Sequence, residues 1–180
     1  LASLLERKSA EYGHPIYIIA DEPYRELVYG GVKVPFIPCL YKNTIVCYSY
    51  SKSLSLPGER IGYVYVPGFA DDSHDVYAAI AGAARIMGHV CPPTLMQKVI
   101  ELCAGERPDL AAYEENRNLL YNSLREMGYQ CAKPDGAFYL FVKAPNGDAN
   151  AFSERAKLTH NLLVVPADGF GCPGYFRMAY

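Results

Sequence analysis

The stretch Ser49-Tyr50-Ser51-Lys52-Ser53-Leu54-Ser55-Leu56-Pro57-Gly58-Glu59-Arg60-Ile61-Gly62 sets a single lysine in a loop of small residues, with a serine three positions before it and an arginine eight positions after it. A serine hydroxyl and an arginine fork can grip a phosphate, the arginine bidentately, while a lysine amine between them can attack a carbonyl carbon and form a Schiff base. The layout is that of a site holding a phosphorylated aldehyde on an amine, and Lys52 is the candidate nucleophile. A lone lysine is most often a solvated surface charge; so many restricted positions around this one argue against that.

Upstream, Pro15-Ile16-Tyr17-Ile18-Ile19-Ala20 is a short apolar run rich in isoleucine, bounded by proline before and by Asp21-Glu22-Pro23-Tyr24 after. It reads as a buried strand emptying into a loop. Thr44-Ile45-Val46-Cys47-Tyr48 reads the same way and empties into Ser49 and Lys52. Ligands of open α/β sheets bind just outside the carboxyl ends of the strands, so two neighbouring strand ends would aim Asp21, Tyr24, Ser49 and Lys52 at one crevice.

With these residues in place the chain resembles the class I and II aminotransferases, pyridoxal-phosphate enzymes of the aspartate aminotransferase fold (fold type I). The stretch around Lys52 fits their lysine signature at every constrained position. The resemblance implies pyridoxal 5'-phosphate as cofactor and a role for each residue. Pyridoxal phosphate is an electron sink while its ring nitrogen stays protonated, and a buried carboxylate beside that nitrogen keeps it so; Asp21 is expected there. Tyr24, three residues on, has the spacing of the family's tyrosine that favours the ring oxyanion. Ser49 and Arg60 hold the phosphate. Lys52 first carries the aldehyde and then, freed, moves a proton between the substrate α-carbon and the cofactor. That second task needs a neutral amine, which desolvation and the Arg60 charge both favour.

Near the carboxyl end, Gly174-Tyr175-Phe176-Arg177-Met178-Ala179-Tyr180 alternates like a strand. An arginine in such a strand is costly unless it meets an anion or sends its head group to solvent. By the resemblance, Arg177 is the residue that binds the substrate α-carboxylate. Pro134-Asp135-Gly136-Ala137-Phe138-Tyr139-Leu140-Phe141-Val142 looks like the family's small-domain strand, whose glycine lets the substrate side approach the backbone; a turn followed by a core strand reads nearly as well.

The remaining segments order themselves around these. Residues 1–12 look like the end of a helix closing at Gly13, and Gly30-Gly31 marks a turn. A strand over 60–66 leaves the lysine loop; helices follow over 71–89 and from Thr94 to Ala104. The longest helix, 108–128, has Leu110, Tyr113, Leu120, Leu124 and Met127 on one stripe. A strand at Phe138, a helix over 150–161, a strand over 162–165, the Gly169-Phe170-Gly171 turn and the Arg177 strand complete the chain. The fold class is α/β; the resemblance implies the carboxyl-terminal part of a large cofactor domain, a mostly parallel sheet with flanking helices (1–106), plus most of a smaller α+β domain (107–180), joined through the long helix. Leu1 is not an initiator methionine and Tyr180 stops inside a strand, so the expectation is a carboxyl-terminal piece, inactive alone; the resemblance implies a homodimeric parent.

Half the residues are apolar, a fifth are charged, and the net charge of -2 offers no basic field for nucleic acid. No apolar run is long enough to span a bilayer, and the expected location is the cytoplasm. The six cysteines are scattered without a Cys-x-x-Cys pair and read as small hydrophobes rather than disulfides or metal ligands. The four histidines lie far apart with no ligand spacing.

Amino transfer between an amino acid and a 2-oxo acid is the expected reaction, because Arg60 and Arg177 together suit chemistry that retains the α-carboxylate. The alternatives are another pyridoxal-phosphate reaction, such as β-elimination or decarboxylation, and an aminotransferase-like ligand-sensing domain of a transcription regulator. A serine acyl-transferase, suggested by Ser49-x-x-Lys52, also needs Ser-Asp-Asn and Lys-Thr-Gly, and neither is present.

Overall fold

Two isoleucine- and valine-rich runs form the expected strands, β1 (Ile18–Asp21) and β2 (Thr44–Ser49). They pair in parallel from Ile18 opposite Thr44 to Asp21 opposite Cys47. A third strand, β3 (Gly62–Tyr65), returns antiparallel to β2, from Val46 opposite Tyr65 to Ser49 opposite Gly62. The sheet order is β1-β2-β3. The structure is a computed structural model that describes residues 1–180, and the chain divides into two compact units, Leu1–Glu26 with Lys33–Pro108 and Leu27–Val32 with Asp109–Tyr180.

In the first unit the amino ends of the strands are stitched together by side chains. Tyr41 donates its hydroxyl to the Ile16 carbonyl, and Tyr17 donates to that of Asp71. Asn43, buried, donates to the Asp71 carboxylate and accepts from the Asp71 N–H, while Lys42 pairs with the same carboxylate. Bonds to Lys42 and Asn43 hold the Asp71 carboxyl below its ordinary range. The stitched end is opposite the reactive one, which fixes the strands while leaving their carboxyl ends to the loops. Helices α1 (Ala2–Tyr12), α2 (Tyr50–Ser53), α3 (Ser73–Ile86) and α4 (Thr94–Leu102) complete the unit. Gly13 caps α1 in the left-handed conformation, as its sequence position suggests.

The second unit is a three-stranded antiparallel sheet of β4 (Tyr139–Lys143), β5 (Val165–Pro166) and β6 (Tyr175–Ala179), in the order β4-β6-β5, with helices α5 (Leu110–Glu126) and α6 (Ala149–His160). Period-two alternation gives this sheet one apolar face: Leu140, Val142 and Phe176 are fully buried there and meet Leu124 of α5 and Ala149 of α6. Asp109 and Asp148 cap the two helices by accepting from Ala112 N–H and Ala151 N–H. The segment Leu27–Val32 docks on this unit through a bridge from Val28 to Gly136 and a bond from Ala137 N–H to the Leu27 carbonyl. Arg117, 4 % exposed, lies over the Tyr29 ring at 4.4 Å and donates to the Pro134 carbonyl and to Glu114.

Four expectations shift at their edges for identifiable reasons. Arg60 has left-handed angles (φ 53, ψ 48), so the third strand begins at Gly62 rather than at 60. The strand expected over 162–165 is only Val165–Pro166, because Asn161 ends α6 in the left-handed region and Leu162 N–H bonds back to the Ala156 carbonyl. Of the stripe on α5, Leu124 is buried but Met127, at the cap, is 66 % exposed. At Gly136 a Cβ would lie 2.9 Å from the Leu27 carbonyl oxygen, so the close approach the glycine permits is that of the Leu27–Val28 backbone.

Candidate active site

The register of the first sheet decides which side chains share a face. Partners across a ladder point the same way and successive residues alternate. Asp21 therefore sits beside Cys47 on one face, Ser49 follows two residues along β2, and Gly62 lies opposite Ser49. The Cys47 thiol is pushed up by burial and then by the negative charge of Asp21, its neighbour.

Beyond the strand ends the chain turns into loops that bring in the other two groups. After Asp21, Glu22 N–H bonds to the Cys47 carbonyl, extending the β1–β2 pairing by one residue and fixing the start of the Pro23-Tyr24 turn. After Ser49 the chain forms the short helix α2, and Lys52 lies in it with its Nζ 5.7 Å from the centre of the Tyr24 ring. That is within cation–π range, so the amine and the phenol ring belong to one local cluster. The Ser49 hydroxyl caps α2 by accepting from Ser51 N–H at 3.1 Å and also bonds to the Ser51 hydroxyl.

The antiparallel return closes the loop. Because Ser49 faces Gly62 and Tyr50 N–H bonds to the Ile61 carbonyl, residue 60 comes back beside the start of α2. Gly62 is required: a Cβ there would lie 2.2 Å from the Tyr48 carbonyl oxygen. Arg60 is exposed, strained into the left-handed region, and donates to the Pro57 carbonyl of its own loop at 2.9 Å. On the opposite face Tyr48 donates its hydroxyl to Ser53 at 2.7 Å, tying the residue after Lys52 to β2. Burial, opposed by the Ser53 bond and reinforced by Glu26, pushes the Tyr48 phenol up to about 12.

Asp21, Tyr24, Ser49, Lys52 and Arg60 thus gather at one end of one sheet. One expectation needs correction. Asp21 was expected to be a buried acid and is exposed, because β1 is the outer strand of the sheet and nothing covers that face there; Ile19, on the same face, is 70 % exposed. An amine, a carboxylate, a phenol, a hydroxyl and an outlying guanidinium are the donor set that a phosphorylated pyridine aldehyde calls for, and the exposure of Asp21 leaves its carboxylate open to a ligand.

Arg177 lies in the second unit, on the face of β6 turned away from the core. Its register partners are Phe141 on β4 and Val165 on β5. It takes part in no ion pair; its guanidinium carbon lies 4.3 Å from the Tyr139 ring centre and 4.4 Å from that of Phe170. Those two aromatics, Cys47 and the Tyr48–Ser53 tie were not singled out from the sequence. Period-two spacing from Ser49 would have found Cys47, whereas the others depend on cross-strand register and loop geometry, which carry no local signal.

Residues 8–180 match the family described as aminotransferase class I and II. The chain belongs to that family. Its solved neighbours include an amino transferase from Eubacterium rectale, 61 % identical over 99 % of this chain and 45 % of that one, with a TM-score of 0.92. Similar in sequence are the aspartate aminotransferase of Bacillus subtilis, 32 % identical over 93 % of this chain and 45 % of its own length, and aromatic-amino-acid aminotransferase 2 of Thermococcus litoralis, 29 % identical over the same shares. This aminotransferase chain spans a little under half the length of the relatives it matches. The solved neighbours support the α/β class, and no helix is long and apolar enough to cross a membrane.

Proposed function

We propose that the whole protein is a pyridoxal-phosphate-dependent aminotransferase that moves an amino group from an amino acid to a 2-oxo acid. The observation that carries this reading is the cluster at the carboxyl ends of two parallel strands: Lys52 over the Tyr24 ring, with Asp21 and Ser49 on one sheet face. When bound, pyridoxal phosphate supplies an electron sink for the substrate α-carbon. Lys52 would hold the group through its aldehyde carbon, and its amine, once freed, could carry the α-proton. Asp21 would supply the carboxylate that keeps the ring nitrogen protonated, Tyr24 would favour the ring oxyanion, and Ser49 and Arg60 would hold the phosphate.

Arg177 holds the substrate α-carboxylate. The absence of any ion pair for it within this chain supports the role, since a paired guanidinium has less to offer a ligand. Retaining that carboxylate favours amino transfer over decarboxylation. By the same reading the whole protein is a homodimer that acts in the cytoplasm, and the 180 residues alone are inactive, because the exposed edge at Asp21 lacks a cover to exclude water.

The test is to add pyridoxal phosphate to the full-length protein and follow the visible absorbance of the cofactor bound to an amine. A band that Lys52→Ala abolishes is the expected result, with little or no stable band on the 180-residue chain. Addition of an amino acid should convert the cofactor to its pyridoxamine form and release a 2-oxo acid without ammonia. Release of ammonia would instead favour β-elimination, and no spectral change with any amino acid would favour a ligand-sensing role.

A further inference from the structure

Beyond the cluster at Lys52, the chain builds a second feature with no part in its own core. On the second sheet the side chains of Leu140, Val142 and Phe176 point into the core, so those of Tyr139, Phe141, Tyr175 and Arg177 point the other way. Phe141 is directly opposite Arg177, and Tyr139 is its diagonal neighbour on the same face, close enough for an aromatic ring to reach the guanidinium. Phe170, from the turn between β5 and β6, approaches the same group and packs edge-on against Phe141, with ring centres 6.0 Å apart.

We propose that Tyr139 and Phe170 are positioning residues for Arg177, fixing the plane of its guanidinium so that its in-plane N–H edge meets a substrate carboxylate in the bidentate arrangement. This rests on the reading of Arg177 as the carboxylate-binding residue. A guanidinium donates only in its own plane, while its faces are weakly hydrated and stack on aromatic rings. Ring centres 4.3 and 4.4 Å from the central carbon are at stacking distance, and rings stacked on those faces would leave the edge as the direction open to an anion. An arginine side chain otherwise samples many rotamers, and each must be given up when a carboxylate binds. Holding the fork by ring contacts spares that loss without supplying a competing acid: a carboxylate partner would orient the fork equally well but would take up its charge.

The experiment uses the full-length protein loaded with pyridoxal phosphate. Calorimetry measures the binding of succinate and of 3-phenylpropionate, which carry the carboxylate but no reactive amine. Phe170→Leu and Tyr139→Leu are each expected to weaken carboxylate binding about tenfold, with the Lys52 absorbance band unchanged. The preference for phenylalanine over benzylamine, which lacks the carboxylate, should fall by a similar factor, and Phe170→Tyr, which restores a ring face, should regain wild-type affinity. If both leucine variants bind the carboxylates as well as wild type while Arg177→Ala does not, the positioning role is overturned and the carboxylate reading of Arg177 stands. If Arg177→Ala also binds them unchanged, that reading falls and the inference with it. Equal losses toward phenylalanine and benzylamine would mark general damage to the unit and would also overturn the proposal.

Discussion

Gly62→Ala is the most exacting single test of how the Lys52 loop is built. A Cβ at that position would lie 2.2 Å from the Tyr48 carbonyl oxygen, 3.1 Å from Ser49 Cα and 3.2 Å from the Tyr48 carbonyl carbon, all of them backbone atoms. Real Cβ contacts essentially never fall under 3.0 Å, so β2 and β3 must separate by at least about 0.8 Å where Ser49 faces Gly62. No rotamer change can relieve a clash between two backbones. Overpacking of this kind costs about 1–3 kcal/mol, and loss of a ladder hydrogen bond at the strand end adds about 1 kcal/mol. For a chain of this length the sum corresponds to a fall of about 5–15 °C in melting temperature. Gly58→Ala is the matched control: the same change in the same loop, with nothing within 4 Å of the added carbon, and an expected effect within about 0.5 kcal/mol. Because the separation moves Ser49 away from the returning Arg60 segment, pyridoxal-phosphate affinity in the full-length protein should fall in Gly62→Ala and hold in Gly58→Ala. Thermal melts and a cofactor titration of both variants decide the matter. Equal melting temperatures for the two would refute the claim that this glycine is required by the approach of the two strands.

Arg117→Ala should destabilise the second unit by about 2–3 kcal/mol, because it unpairs the Pro134 carbonyl and uncovers the Tyr29 ring; urea melts check it, and Arg117→Lys should not restore the loss, since an ammonium cannot reproduce the planar fork. The Tyr48 phenol, raised to about 12 from an ordinary value near 10, contributes stability that is intact below about pH 10 and is lost as the pH climbs from there toward 12. In an alkaline absorbance titration of the folded protein, Tyr48→Phe should remove one late-ionising tyrosine. Asp71 runs in the opposite sense: its carboxyl is held low by Lys42 and Asn43, so its contribution is present above about pH 4 and disappears as the pH falls through its folded value. Asp71→Asn should therefore flatten the acid limb of a stability-against-pH profile.

How much of this was readable from the chain depends on whether a constraint runs along the sequence or across the fold. The lysine cluster was legible because its chemistry demands particular residue types at fixed offsets on one continuous segment. Serine three before and arginine eight after Lys52 are positions on a single turn and return, and the return was itself encoded by Gly62, the one residue that lets β3 lie close to Tyr48. Asp21 and Tyr24 were legible for the same reason, standing at the end of a short, proline-bounded apolar run that reads as a strand. The exposure of Asp21 was not, since burial depends on what lies over a sheet face rather than on the residues forming it. The surroundings of Arg177 were illegible for a different cause. Alternation shows that an arginine in Tyr175–Ala179 points to one face, but not which strand lies beside it, and a shift of one residue in the β4–β6 register would send Tyr139 into the core and Leu140 against the guanidinium. The register is held by the burial of Leu140, Val142 and Phe176 on the opposite face, so the residues that keep the aromatic rings against Arg177 are the ones that never touch it.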